Sequence, residues 1–135
     1  MHTQQPATKD LYFTNDHEWV DFKGPVAYTG ICSFKLTGFR EIQQISFNEP
    51  LGYKKKGEII ATVSYLDYVI EAHMPVDGKV VRVNNELVTG DKNVLLNHAE
   101  TIGWIAMIAP SQPYERSALL LPVTYRMNNK SRYAK

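Results

Sequence analysis

One cysteine, Cys32, stands in a chain of 135 residues, which excludes an internal disulfide and any multi-cysteine metal cluster. No apolar run approaches the roughly 20 residues a helix needs to cross a bilayer, so the chain does not read as a membrane protein. The opening MHTQQPATKD lacks the apolar stretch of a secretory signal, and a cytoplasmic address is the expectation. Charge of one sign is missing as well. Lys and Arg number 15 against 14 Asp and Glu, for a formal net charge of +1. That is too little to attract nucleic acid or an anionic membrane surface over distance. No glycine-rich phosphate loop, nucleophile elbow or paired-carboxylate motif occurs, so no catalytic residue and no enzyme activity are expected. The last absence is local: no lysine lies between Lys56 and Lys79.

What is present reads as mainly β. Residues 1–10 are polar and expected to fray, residues 11–121 form one domain, and residues 122–135 form a basic tail. The runs Glu18–Phe22 and Val26–Ile31 flank Lys23-Gly24-Pro25 and read as a hairpin. Ser33 can cap a short helix that turns Phe34, Leu36 or Thr37, and Phe39 inward, and Ile42–Phe47 reads as a strand. Residues 48–52 then break the chain, and Lys54-Lys55-Lys56-Gly57 reads as a solvated loop. Strong alternation follows. Ile59, Ala61, Val63 and Tyr65 share one face; Tyr68, Ile70, Ala72, Met74 and Val76 share the next, with a phase break at Leu66-Asp67 where a hairpin should turn. Strands are also expected at Val80–Val83 and Ile102–Ile108, with a loop or helical turn at residues 84–86 between them and helical character at Gln112–Leu121. Gly57-Glu58-Ile59-Ile60 is echoed by Gly78-Lys79-Val80-Val81, as two similar sheets in a barrel or flattened sandwich would produce.

Several strings, in order, resemble the glycine cleavage system H protein family. They are Asp16-His17-Glu18-Trp19-Val20, Gly30-Ile31, Lys55-Lys56-Gly57-Glu58, Met74-Pro75-Val76-Asp77-Gly78-Lys79-Val80, Val83-Asn84 and Gly103-Trp104. The similarity spans Tyr12 to Ile108 and extends toward Tyr125. It implies a biotinyl/lipoyl barrel-sandwich hybrid, the hammerhead, with a few short helices. It also implies a non-enzymatic shuttle that carries lipoate on a lysine at a hairpin tip and visits the other glycine cleavage components. The family lysine falls eight residues before the proline matching Pro75, and Asp67 stands there. Lipoylation forms an amide and needs a nucleophilic amine, which a carboxylate does not offer. Ser64, Tyr65 and Tyr68 also depart from the family pattern.

The expectation is therefore an unlipoylated H-protein-like domain with no cofactor, acting as an interaction or scaffold module for an unidentified protein partner. Tyr65, Leu66, Asp67 and Tyr68 are its candidate contact tip, since tyrosine at a rigid tip offers contact area at low entropic cost; the plainer alternative turns two of the three large side chains inward. The competing reading is a lipoyl carrier working through Lys56 or Lys79 with the glycine cleavage components. No metal site is expected. His17 and Glu18 are adjacent and should face opposite ways along a strand, and His73 and His98 have no carboxylate at metal-ligand spacing and read as solvent-exposed. Cys32 reads as packing, although a helix start beside it could make it reactive. The tail after Glu115 reads as solvated coil.

Overall fold

A computed structural model describes residues 10–48, 51–111, 116 and 118–133, with side chains through Met127. Among the described residues, nine strands form two antiparallel sheets. β1 (Leu11–Phe13), β2 (Glu18–Lys23), β3 (Val26–Ile31), β5 (Gly52–Lys54), β8 (Gly78–Val83) and β9 (Ala106–Pro110) make six strands in the order β1-β2-β3-β9-β8-β5. β4 (Gln44–Phe47), β6 (Ile59–Tyr65) and β7 (Tyr68–His73) make three, in the order β4-β6-β7. The echoed segments are thus equivalent strands in opposite sheets, β6 in one and β8 in the other.

Alternation decides which side chains meet. On β2 and β3, Val20, Phe22, Ala27 and Ile31 point into a cluster that also holds Ala61, Val63 and Ala72 from the second sheet and Ile108 from β9. Each large aliphatic side chain fully buried there stabilises by about 1.5–3 kcal/mol. The opposite face of β2 carries Trp19, which joins Phe13, Cys32 and Tyr125 in a second, smaller cluster. The six-stranded sheet is therefore covered on its inner face and, around β1 and β2, on part of its outer face.

Three short helices finish the fold. Asn84 caps α1 (Asn85–Thr89) by accepting from the Glu86 amide at 3.1 Å, and its own amide donates to the Ile102 and Trp104 carbonyls at 3.1 and 2.8 Å. α2 (Asn93–Asn97) follows after a turn. α3 (Pro122–Tyr133) opens on a proline, tolerated at a first helical position because its missing N–H would have no partner there.

The structure revises several expectations. The tail is helix from Pro122 to Tyr133, not solvated coil: Tyr125 is 6% exposed and stacks on Phe13 at 4.4 Å, so docking supplies what weak helix propensity does not. Residues 1–9, expected to fray, and residues 112–115 and 117 of the expected helical segment lie outside the described residues, while Arg116 and Ala118–Leu121 are not helical; Leu120 bridges to Phe13 instead. Ser33 does not cap the 3₁₀ turn Ser33–Leu36; Cys32 takes the cap position without a side-chain bond, and the Ser33 hydroxyl donates to Glu100. The last strand begins at Ala106 rather than Ile102, because residues 101–103 form a turn. Lys54 is no solvated loop residue: it ends β5 and is 3% exposed. Among the described residues, no helix is long and apolar enough to cross a membrane.

Candidate functional site

The β6–β7 hairpin closes in two residues, Leu66 and Asp67, with Tyr65 paired to Tyr68. The first position of such a turn needs a positive φ, a place for glycine. Gly24 fills it in the β2–β3 hairpin at φ +68°, but here Leu66 adopts φ +54°. A bulky residue held in that region is strained by roughly 1–2 kcal/mol. Its amide donates to the Gln43 side chain at 2.9 Å, and its side chain is 66% exposed. Asp67 is exposed beside it. Tyr65 and Tyr68 lie parallel with ring centroids 6.4 Å apart and both approach Phe39, at 6.1 and 5.7 Å. Tyr68 also covers Gly38, where an added Cβ would lie 3.1 Å from its ring. The tip is thus mixed: Tyr65 packs on the core, Tyr68 is half exposed against Phe39, and Leu66 and Asp67 project into solvent.

A second cluster lies at the far end of β7, where His73 closes the strand. Glu18 is 2% exposed, and its carboxylate accepts from the Thr14 hydroxyl at 3.2 Å, Lys35 Nζ at 3.0 Å, the His73 amide at 2.9 Å and His73 Nδ1 at 2.7 Å. Asp16 shares both partners, at 3.0 Å from Lys35 and 2.7 Å from His73 Nδ1, while His73 Nε2 reaches Glu71 at 3.2 Å. Burial would lower the His73 pKa, but the hydrogen bond and charge of Glu18, with Glu71, outweigh it and hold the imidazole above its usual value. Burial raises the Glu18 pKa despite Lys35 and His73. Burial works the same way on Asp16, but there Lys35 and His73 win and the carboxyl is held low. The group borders a cavity of about 400 Å³ that extends to Met74 and Leu119.

This cluster overturns the picture of His73 as a free surface histidine. Sequence spacing hid it because its members are 55 residues apart and meet only through the sheets. Ligand atoms of Asp16, Glu18 and His73 fall within 4.8 Å of one another, a constellation the sequence reading lacked. Lys35 already bridges both carboxylates, so a metal ion would compete with a resident ammonium. His17 is not on the strand as expected: it lies in a bend ahead of β2 at φ +64°, and its Nδ1 is 2.8 Å from the Tyr125 hydroxyl. His98 is exposed. Cys32 is 1% exposed with its pKa pushed up to about 12, chiefly by burial, as packing rather than reactivity requires.

Residues 11–132 match the family model described as glycine cleavage H-protein. The chain belongs to that family. A probable glycine cleavage system H protein of Aeropyrum pernix is 33% identical over 120 residues, covering 87% of this chain and 81% of its own. The glycine cleavage system H protein of Clostridium botulinum is 33% identical over 116 residues, covering 86% and 88%. The fold matches the crystal structure of a glycine cleavage system H protein from Mycobacterium marinum with a TM-score of 0.76 at 23% identity, over 92% of this chain and 99% of that one. The hammerhead fold and the non-enzymatic class follow from this membership.

Lipoate is the cofactor of the H-protein family, and its amide linkage requires a side-chain amine. The hairpin tip of this member does not fit that chemistry: it presents the Asp67 carboxylate, and no lysine lies between Lys56 and Lys79. Neither of those lysines lies in the hairpin. Lys56 is in the turn before β6, its amide bonded to Asp77 at 2.7 Å, and Lys79 is within β8, paired to Tyr53 and Ala109. At about 3.3 Å per residue, the strand from Ile59 to Tyr65 puts Lys56, which precedes it, on the order of 20 Å from the tip, and Lys79 belongs to the other sheet.

Proposed function

We propose that this H-protein family member does not carry lipoate and acts as a protein-interaction module that presents the β6–β7 tip to a protein partner. The observation that carries the reading is Asp67 in an exposed two-residue turn, where an attachment amine would have to stand. Support comes also from the turn itself. Leu66 is held at positive φ with its apolar side chain in water, next to two tyrosines braced on Phe39, an arrangement that supports a contact role for the tip. The competing reading, a carrier that moves the aminomethyl group on lipoate attached to Lys56 or Lys79, shares the family but not the tip.

Intact-mass measurement after co-expression with a lipoate ligase or the lipoyl-transfer pathway separates the two. The native chain should keep its unmodified mass, while Asp67→Lys, which restores an amine at the tip, should gain one lipoyl group. A lipoylated native chain would overturn the proposal. For the interaction role, affinity capture with native protein is compared with a variant bearing serine at Tyr65, Leu66 and Tyr68. Identical partners from both would clear the tip of any binding role.

A further inference from the structure

The edge of a sheet offers unpaired main-chain groups to another chain, and native proteins blunt such edges with short strands, lysine, proline or a covering segment. Among the described residues the sheet orders leave β1, β5, β4 and β7 at edges. β1 and β5 have three residues each, β1 is bridged by Leu120, and β4 has four. β7 runs six residues, Tyr68–His73, and contains neither lysine nor proline.

The hairpin fixes which groups of β7 are open. Its two-residue turn closes on Tyr65 and Tyr68, and in an antiparallel ladder bonded and non-bonded pairs alternate from that closing pair. Tyr68, Ile70 and Ala72 therefore turn their N–H and C=O groups to β6, while Val69 and Glu71 turn theirs away. Two bonds confirm the phase. Ser64, opposite Val69, turns its carbonyl toward β4 and accepts from the Gln43 amide at 3.0 Å. The His73 amide points away from β6 and donates to Glu18 at 2.9 Å, which closes that end of the edge. The Val69 and Glu71 main chains have no partner on the open side among the described residues.

Side chains give this edge a charge. Val69 and Glu71 face solvent beside Thr62 and Ser64, because Val63 and Ala72 fill the core on the other face. Val69 is 61% exposed, and the half-exposed Glu71 carboxylate has one oxygen 3.2 Å from His73 Nε2. Asp67 is exposed two residues before Val69. Asp67, Val69 and Glu71 thus present acid, apolar, acid at alternate positions, and no lysine or arginine occurs from Gly57 to Gly78. A second copy of the chain fits poorly here. Pairing Val69 with Val69 brings Glu71 against Asp67, and pairing Glu71 with Glu71 opposes like charges directly. Pairing Val69 with Glu71 sets Asp67 at the His73 end, where Asp16, Glu18 and Glu71 already outnumber Lys35 and His73.

We infer that β7 receives an extended segment of a partner protein as an added antiparallel strand, with basic side chains opposite Asp67 and Glu71 and an apolar one opposite Val69. This rests on the proposed interaction role and states the chemistry of its partner. Main-chain bonds to Val69 and Glu71 supply affinity, and the paired charges fix the register. The residues between the basic and apolar positions are small, because they meet the side of β7 where Tyr68 lies against Gly38 and Phe39.

The probe is the peptide acetyl-Thr-Thr-Lys-Ser-Val-Ser-Lys-Thr-Thr-amide, titrated into isotope-labelled native protein while the Val69 and Glu71 amides are followed by NMR. Saturable shifts and slowed deuterium exchange at both amides are expected. A peptide with glutamate in place of both lysines should bind at least about tenfold more weakly. One N-methylated at its valine keeps the charge, loses a donor that faces β7, and should bind at least about fivefold more weakly. On the protein side, Asp67→Asn combined with Glu71→Gln, both at exposed positions, should weaken the lysine peptide about threefold or more. Equal binding of the N-methylated peptide would mean charge attraction without strand pairing and would overturn the inference, as would the absence of saturable binding. Concentration-dependent shifts of Val69 and Glu71 without peptide would make a second copy the occupant and overturn it too. The intact-mass test is independent of these results, so failure at the β7 edge and failure of the unlipoylated reading are told apart.

Discussion

Glu18 is a carboxylate with almost no contact with water, and its four donors come from three parts of the chain. Glu18→Ala would leave Lys35, whose side chain is 12% exposed, and His73 without their buried partner. Breaking a buried pair from one side costs about 3–5 kcal/mol, so urea denaturation should show a loss of that order. His73 sets a pH dependence of definite sign. Its folded pKa lies above the usual 6.5, so the folded state binds the proton more tightly than the unfolded chain does. The stabilisation is complete below about pH 6.5 and is lost as pH rises through the folded value. Asp16 runs the other way, because its lowered pKa gives stability that is lost only in acid, below the usual 3.8. Glu18, raised above 4.5, favours folding toward acid. Between about pH 6 and 8 the imidazole dominates. Urea midpoints should fall across that range in native protein and stay level in His73→Gln.

Two hairpins with two-residue turns show how local rules are kept or broken at the level of elements. The β2–β3 turn follows them, with Gly24 in the left-handed region. The β6–β7 turn does not, because Leu66 is there instead. Leu66→Gly removes a strain of roughly 1–2 kcal/mol and adds backbone entropy to the unfolded chain worth about 0.5–1 kcal/mol. A net gain of about 0.5–1 kcal/mol is expected in the same urea assay, and a loss would show that the strain is absent. On β3, Gly30 faces Trp19, and an added Cβ would come within 2.8 Å of the indole nitrogen. That ring is tied to Ala99 across 80 residues and cannot move freely. Gly30→Ala should therefore destabilise by about 1–3 kcal/mol through overpacking, seen as a lower melting temperature.

The whole molecule depends on α3 closing its second face. Phe13, Trp19 and Cys32 are buried together with Tyr125, whose ring is parallel to Phe13 within 9°. Truncation after Leu121 removes that ring and should cost about 3–5 kcal/mol, as loss of a large buried aromatic does. Cys32 reports the same event. In the intact chain its buried thiol, with a pKa near 12, should resist an aromatic disulfide reagent at mildly alkaline pH. In the truncated chain the thiol should react at a rate limited only by local opening. An unreactive Cys32 after truncation would mean that α3 does not protect it.

Strand alternation, the hairpin at Leu66-Asp67 and the absence of a lysine between Lys56 and Lys79 were legible in the sequence, because side-chain period and amine chemistry are local properties. So were the family strings, and with them the hammerhead. The Glu18–His73 pair was not legible, since its partners are 55 residues apart and meet only when both sheets form. Lys54 looked solvated within a lysine run, yet pairing with Gly78 buries it. The helical tail escaped for a related reason: its residues favour helix weakly, and Tyr125 finds its place only after Phe13 and Trp19 share a face. By itself, then, the sequence determined which backbone periods were possible and which covalent chemistry the tip could support. Tertiary structure alone decided which distant charges would be buried together, because desolvation and hydrogen bonding act on neighbours in space and not on neighbours in the chain.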